Sequence, residues 1–245
     1  MAISTNPLAW LRSVQPRRAI ALLLLLLPLT VGAQTVRDLW LSMPPSFAPY
    51  LSASLRTQCL DFYDMHADAQ TDNALKGKSR IDTLTSTFLA ATLSKAHTLQ
   101  MKLLPASGSG SASASGSASG LGSSMVSGSS SSLSSCDSVL CVVRSWDGPK
   151  RDSEVQLFDR QWKPLQAPLT FSADSFVCRP DTMSEERFSR LVAMLDPIMF
   201  SVSLSPAENV LLVKLSPVVP NPEDEKAIEQ ILVQRKLKWD GKTFK

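Results

Sequence analysis

LQMKLL at residues 99–104 sets Leu99, Met101 and Leu103 alternately with Gln100 and Lys102. A period of two marks a strand, because successive side chains stand on opposite faces of a sheet. One face of this strand is apolar, and the other is expected to be wet. Upstream, Ile81 to Leu84 and Phe88 to Leu93 read as strands separated by short polar turns. Downstream, Val139 to Val143 is apolar throughout and needs cover on both faces. Asp147-Gly148-Pro149 then turns the chain, and Glu154 to Phe158 returns. These segments predict an antiparallel meander. A later hairpin is plainer still: Ile198, Phe200, Val202 and Leu204 alternate, Pro206 to Asn209 turn, and Val210 to Leu215 come back.

Around the strands lie helical patterns. Val36, Leu39, Trp40 and Met43 fall on one side of a short helix that Pro44-Pro45 stops. Ser46 is the expected cap of a second helix, with Pro49 in its first turn and Phe47, Leu51, Leu55, Cys59, Phe62 and Tyr63 among its apolar positions. Thr182 and Glu185 suggest a capping box ahead of Phe188, Leu191, Val192 and Leu195. Asn221, with Pro222 at the first helical position and Glu223, Asp224 and Glu225 behind it, starts a fourth helix. The basic run Gln234 to Lys238 suits that helix's carboxyl pole, and Trp239-Asp240-Gly241 is a final turn. The fold class is therefore α+β, an antiparallel sheet meander with about four helices packed on it.

Two segments stand outside this pattern. Residues 1–33 have the form of a signal peptide: Arg12, Arg17 and Arg18, an apolar core from Ala19 to Leu29, and small residues at Val31-Gly32-Ala33 that leave Gln34 first after cleavage. That core falls short of the roughly 20 residues a membrane span needs, so no transmembrane anchor is expected after cleavage. The expected destination is the periplasm or the exterior, in a single α+β domain over 34–245. Residues 106–135 are almost entirely Ser, Gly and Ala, the composition of a flexible, disordered insertion. Such a tract spans about 30 Å, and it is expected to decorate a turn between neighbouring strands, since closure entropy grows slowly with length.

Composition excludes more than it identifies. Three of the 25 basic residues lie in the leader, so 22 remain against 22 acids. That balance lacks the electrostatic footprint of a nucleic-acid binder. Lys76-Gly77-Lys78-Ser79 resembles the end of a phosphate loop, but Asp72 stands where its first glycine belongs. No GxSxG, SxxK or HExxH string occurs, and only His66 and His97 are available for general base work. No catalytic residue and no cofactor is assigned. The densest group of ligand atoms is Asp61, Asp64 and His66, where a helix could offer a cation two carboxylates and an imidazole; the competing reading is a solvated helix end. Cys59, Cys136, Cys141 and Cys178 allow three pairings in an exported protein, among them Cys136–Cys141 with Cys59–Cys178. The alternative leaves Cys59 and Cys141 as buried thiols. Trp146, Trp162 and Trp239 are the candidate contact surface, because tryptophan is enriched at binding hot spots.

Several strings resemble one family: Thr35 to Trp40 with Met43-Pro44, Leu60 to Met65 (LDFYDM), Leu99 to Pro105 (LQMKLLP), Pro180 to Met183, Asp196-Pro197, Leu204-Ser205-Pro206 and Gln234 to Gly241 (QRKLKWDG). Together they look like the uncharacterised exported Bacteroidales proteins called domain of unknown function three-two-five-six. The resemblance implies an envelope or secreted protein of a Gram-negative bacterium and transfers no catalytic residue. Two features depart from its pattern, the Ser/Gly tract and His66 after LDFYDM. The expected role is a non-catalytic binding or scaffolding module for an envelope protein, peptide or glycan, with a carboxylate-dependent glycan hydrolase or a metal-binding protein at Asp61, Asp64 and His66 as the alternative.

Overall fold

The structure, a computed structural model, describes residues 34–106 and 138–245. Its centre is a six-stranded antiparallel meander in chain order: β1 (Thr71–Asp72), β2 (Lys78–Leu84), β3 (Phe88–Ser94), β4 (His97–Pro105), β5 (Ser138–Asp147) and β6 (Arg151–Phe158). β4 and β5 pair along their whole length, from His97 opposite Trp146 to Pro105 opposite Ser138. The sequences on either side of the Ser/Gly tract therefore share one sheet.

One face of this sheet carries helix α1 (Val36–Leu41) and helix α2 (Ala53–Asp64). α1 begins in a capping box between Thr35 and Asp38. Its Val36, Leu39 and Trp40 are fully buried against Leu89, Leu93, Leu99 and Met101. α2 is capped by Ser52, not Ser46. Pro44, Pro45 and Pro49 keep the intervening residues in turns, so the helix starts only once they are past. Within α2, Arg56 is buried and donates to the carbonyls of Leu51 and Leu41, both at 3.1 Å, which ties the end of α1 to the start of α2.

The opposite face is covered as well, by a second sheet of β7 (Phe200–Leu204), β8 (Val210–Leu215) and β9 (Arg235–Lys238), flanked by α3 (Glu185–Ala193) and α4 (Pro222–Glu229). Strand β5 is apolar for this reason: Leu140 and Val142 join the helical core while Val139, Cys141 and Val143 join the other. The wet face expected for β4 is corrected here. Lys102 is buried, and its ammonium donates to the carbonyls of Ser205 (2.6 Å), Pro206 (3.1 Å) and Glu208 (2.7 Å) in the β7–β8 turn. Gln100 accepts from Leu204 N at 2.8 Å. These polar side chains meet backbone rather than water.

Two further expectations shift. α3 is capped by Ser184, which accepts from Arg187 N, so Thr182 lies outside the helix. The run expected to end α4 is strand β9, paired with β8 from Val213–Arg235 to Val210–Lys238. The Asn221 cap and Pro222 stand as read, and the tail after Trp239 turns at Gly241, whose φ of 99° suits glycine.

Candidate functional site

The last turns of α2 carry Cys59, Phe62 and Tyr63 toward strand β2. The helix then stops in a Schellman motif: Ala67 N donates to Phe62 O and His66 N to Tyr63 O, each at 3.0 Å. His66 occupies the left-handed position at φ 51°, where glycine is the usual residue. Across from this helix end, β1 pairs with only Lys78 and Ser79 of β2 and stops. Five residues further on, Tyr63 takes over, accepting from Leu84 N at 3.1 Å. Between these points a groove of about 550 Å³ opens between α2 and the outer edge of β2, lined by Cys59, Phe62, Tyr63, His66 and Asp68 on one side and Ser79 to Asp82 on the other.

Charges at and near this groove are mostly committed. Asp82 accepts from Arg80 Nε at 2.6 Å and from the Thr92 hydroxyl at 2.7 Å. Asp64 takes both terminal nitrogens of Arg37, at 2.8 and 2.5 Å, which holds its carboxyl below the usual range. Asp68 and His66 have no side-chain hydrogen bond among the described residues.

The sequence-derived candidates therefore separate. His66 lines the groove, whereas Asp61 and Asp64 do not, and Asp64 is already neutralised by Arg37. Among the described residues no three His, Cys, Asp or Glu side chains stand close enough to share a metal ion. Trp162 is corrected from surface to core: it is 7% exposed, packs on Phe47 and Phe158, and donates from Nε1 to Leu39 O at 3.2 Å. Trp239 is half-buried against Phe244 and donates to Pro105 O at 2.6 Å. Trp146 is the exposed one, at 40%. Cys59 and Cys141 are free and buried in the two separate cores, and Cys178 is free and exposed, so the Cys59–Cys178 pairing is not formed. Cys136 lies outside the described residues. Burial raises the Cys141 thiol well above its ordinary value, as expected for an inert core cysteine.

Sequence reasoning missed a polar and aromatic cluster on the helical face. His97 hydrogen-bonds through Nδ1 to the Tyr50 hydroxyl and stacks on Trp146, with ring centroids 5.2 Å apart and planes 8° from parallel. The Arg144 guanidinium lies 5.0 Å from the Phe47 centroid and 5.5 Å from that of Trp146, and it is paired to Glu154 at 2.6 Å. Burial, and secondarily Arg144, push the His97 pKa down. Its Nε2 is buried and has no hydrogen-bond partner among the described residues. Only the β4–β5 register brings His97 to Trp146, 49 residues apart in number, so no local signal could have linked them.

A second cleft, of about 560 Å³, lies where α4 meets β8 and the β5–β6 turn. Lys150 bridges its rim to Glu225 at 2.5 Å, and Arg151 is held by Asp147.

The chain matches the family pattern described as "Protein of unknown function (DUF3256)" over residues 28–113 and 129–244. It belongs to this family. Residues 114–128, within the Ser/Gly tract, fall between the two segments that match DUF3256. Among solved structures, the chain is similar to "a domain of an uncharacterized protein from Porphyromonas gingivalis W83", with 21% identity, a TM-score of 0.60, and coverage of 87% of this chain and 99% of that one. At that identity the likeness concerns the fold. No curated protein matches the chain. Among the described residues no helix is long and apolar enough to cross a membrane.

Proposed function

We propose that this DUF3256 protein is an exported binding module of a Bacteroidales cell envelope, non-catalytic, with a protein or peptide as its ligand. The observation that carries this reading is the groove between α2 and β2, a cleft of ligand size beside a stretch of strand edge that no described strand flanks. The groove sets the rings of Phe62 and Tyr63, with His66 and Asp68 beside them, opposite the strand residues Ser79 to Asp82. The leader read in residues 1–33 supports export. The hydrolase alternative is not favoured, because catalysis needs two carboxylates facing across a cleft and Asp64 is bound to Arg37.

The test is native mass spectrometry of the full chain expressed in a Gram-negative host and recovered gently from the envelope fraction. A mature mass starting at Gln34, with a reproducible extra subunit or peptide, is the expected result. A bare monomer retaining residues 1–33 in the cytoplasm would overturn both the export and the binding parts.

A further inference from the structure

We propose that the α2–β2 groove receives an extended peptide that adds to the outer edge of β2 as a further strand, with an apolar side chain against Phe62 and a Lys or Arg beside Asp68. This rests on the binding reading above and names its ligand class. Sheet edges carry backbone donors and acceptors that template another strand, and folded proteins close them. Here parts of the other edges are closed. β6 is flanked by a returning segment, with Leu165 N donating to Leu157 O at 3.0 Å and Leu169 N to Val155 O at 2.8 Å. β9 is closed at Lys238 by Lys245, which bonds it in both directions at 2.6 and 2.9 Å. β7 is closed by side chains: Phe200, Val202 and Leu204 donate in turn to Asp152, Ser153 and Gln100. Along β2, β1 covers Lys78 and Ser79 and Tyr63 covers Leu84, and among the described residues no strand pairs with the outer edge of Arg80 to Thr83, which faces α2 across the groove.

Shape and charge choose the occupant. A second copy fits poorly: in an antiparallel self-pairing centred on Ile81, its Leu84 would face Lys78, whose outer side Asp72 already holds. A slender peptide meets no such obstacle. The bulge between Ile81 and Thr83 twists the edge and limits pairing to a short segment. Arg80 and Asp82 neutralise one another, and Asp68 remains as the groove's unpaired charge, which favours a basic side chain. The mode is strand addition, with backbone bonds giving affinity and alternate side chains giving selectivity.

The experiment titrates the ¹⁵N-labelled mature chain with the peptide acetyl-Lys-Val-Lys-Val-Lys-amide and follows amide resonances. Expected are shifts confined to Arg80–Thr83 and Phe62–Asp68. N-methylating every second amide of the peptide should weaken binding about tenfold in one phasing and little in the other, because only one edge of an added strand faces β2. Asp68→Lys should weaken binding several-fold without unfolding the chain. Equal binding by both N-methylated peptides overturns strand addition, as does a peptide-independent dimer whose shifts fall on the same residues. Shifts at Lys214 and Ile228 instead would move binding to the α4 cleft, overturning this assignment while the binding reading stands. No shift anywhere up to about 5 mM overturns the strand-addition proposal, and the binding reading falls with it if the envelope preparation also yields no partner.

Discussion

Strands β7 and β2 are both edge strands, and the molecule treats them in opposite ways. On β7 each alternate N–H turned away from β8 finds a side-chain oxygen standing on the larger sheet: Asp152 Oδ1 at 3.2 Å, Ser153 Oγ at 3.1 Å and Gln100 Oε1 at 2.8 Å. β7 thereby reaches from β6 to β4 with its edge spent. On β2 the corresponding groups between Ser79 and Leu84 face a groove. An edge buried against another layer must be satisfied, because an unpaired buried backbone group costs about 1–3 kcal/mol. An edge beside a groove is satisfied by water until something displaces it. Closure is thus a property of where an edge lies, and an edge left open beside a groove is where a partner has most to gain.

The largest expected contrast is in amide hydrogen exchange. Phe200, Val202 and Leu204 should exchange at least about a thousandfold more slowly than the amides of Arg80 to Thr83 that point away from β3. Comparable fast exchange at both edges would break the comparison, since the side-chain bonds to β7 would then not persist in solution.

Lys102 anchors the sealed side. Replacing it by Met keeps the aliphatic stem and deprives three carbonyls of their donor, so Lys102→Met should cost about 2–4 kcal/mol, read as a lower urea midpoint at unchanged slope. Gln100→Ala orphans Leu204 N and should cost about 1–2 kcal/mol, with Gln100→Glu, which keeps an acceptor, losing less. The equivalent truncation at the open edge, Arg80→Ala, should fall within about 0.5 kcal/mol, because its pair with Asp82 is exposed.

These residues also mark what the sequence can and cannot tell. The alternation of Phe200, Val202 and Leu204, and the Asn221-Pro222 cap, are local signals, and the elements they imply are present. Gln100 and Lys102 alternate just as clearly, yet a period of two separates faces without saying whether the polar face meets water or another element's backbone. The missing partner was the β7–β8 turn, about a hundred residues later in the chain. The run Arg235 to Lys238 hid a strand because its edge position favours lysine over alternation. At the candidate site, the LDFYDM segment and His66 drew notice as possible metal ligands. What they border was illegible, since a groove beside β2 follows from where β1 stops pairing.

The start of β4 gives a pH-dependent control on the same strand. His97 is buried among Tyr50, Trp146 and Arg144, and its pKa lies below the ordinary 6.5. The unfolded chain takes up a proton near pH 6.5 that the folded chain resists. Stability should therefore be flat above that value and decline as pH falls through it, until the folded imidazole is itself protonated. His97→Gln should flatten the decline in thermal midpoint, while the exchange contrast between β7 and β2 should be unaffected.

A small effect of the opposite sign lies at the groove's own rim. A residue with a Cβ at φ 51° is strained, and glycine relieves the strain at some cost in unfolded-chain entropy, so His66→Gly should leave stability unchanged or raise it by about 0.5–1 kcal/mol. The substitution also removes an imidazole from the groove wall while leaving the Schellman bonds of Ala67 and His66 N–H in place. If the groove works through the β2 edge, His66→Gly binds peptide as the parent does, and the histidine is a tolerated cap. If binding falls while stability rises, the strained imidazole itself touches the ligand, and selectivity at this site comes from α2 as much as from the strand.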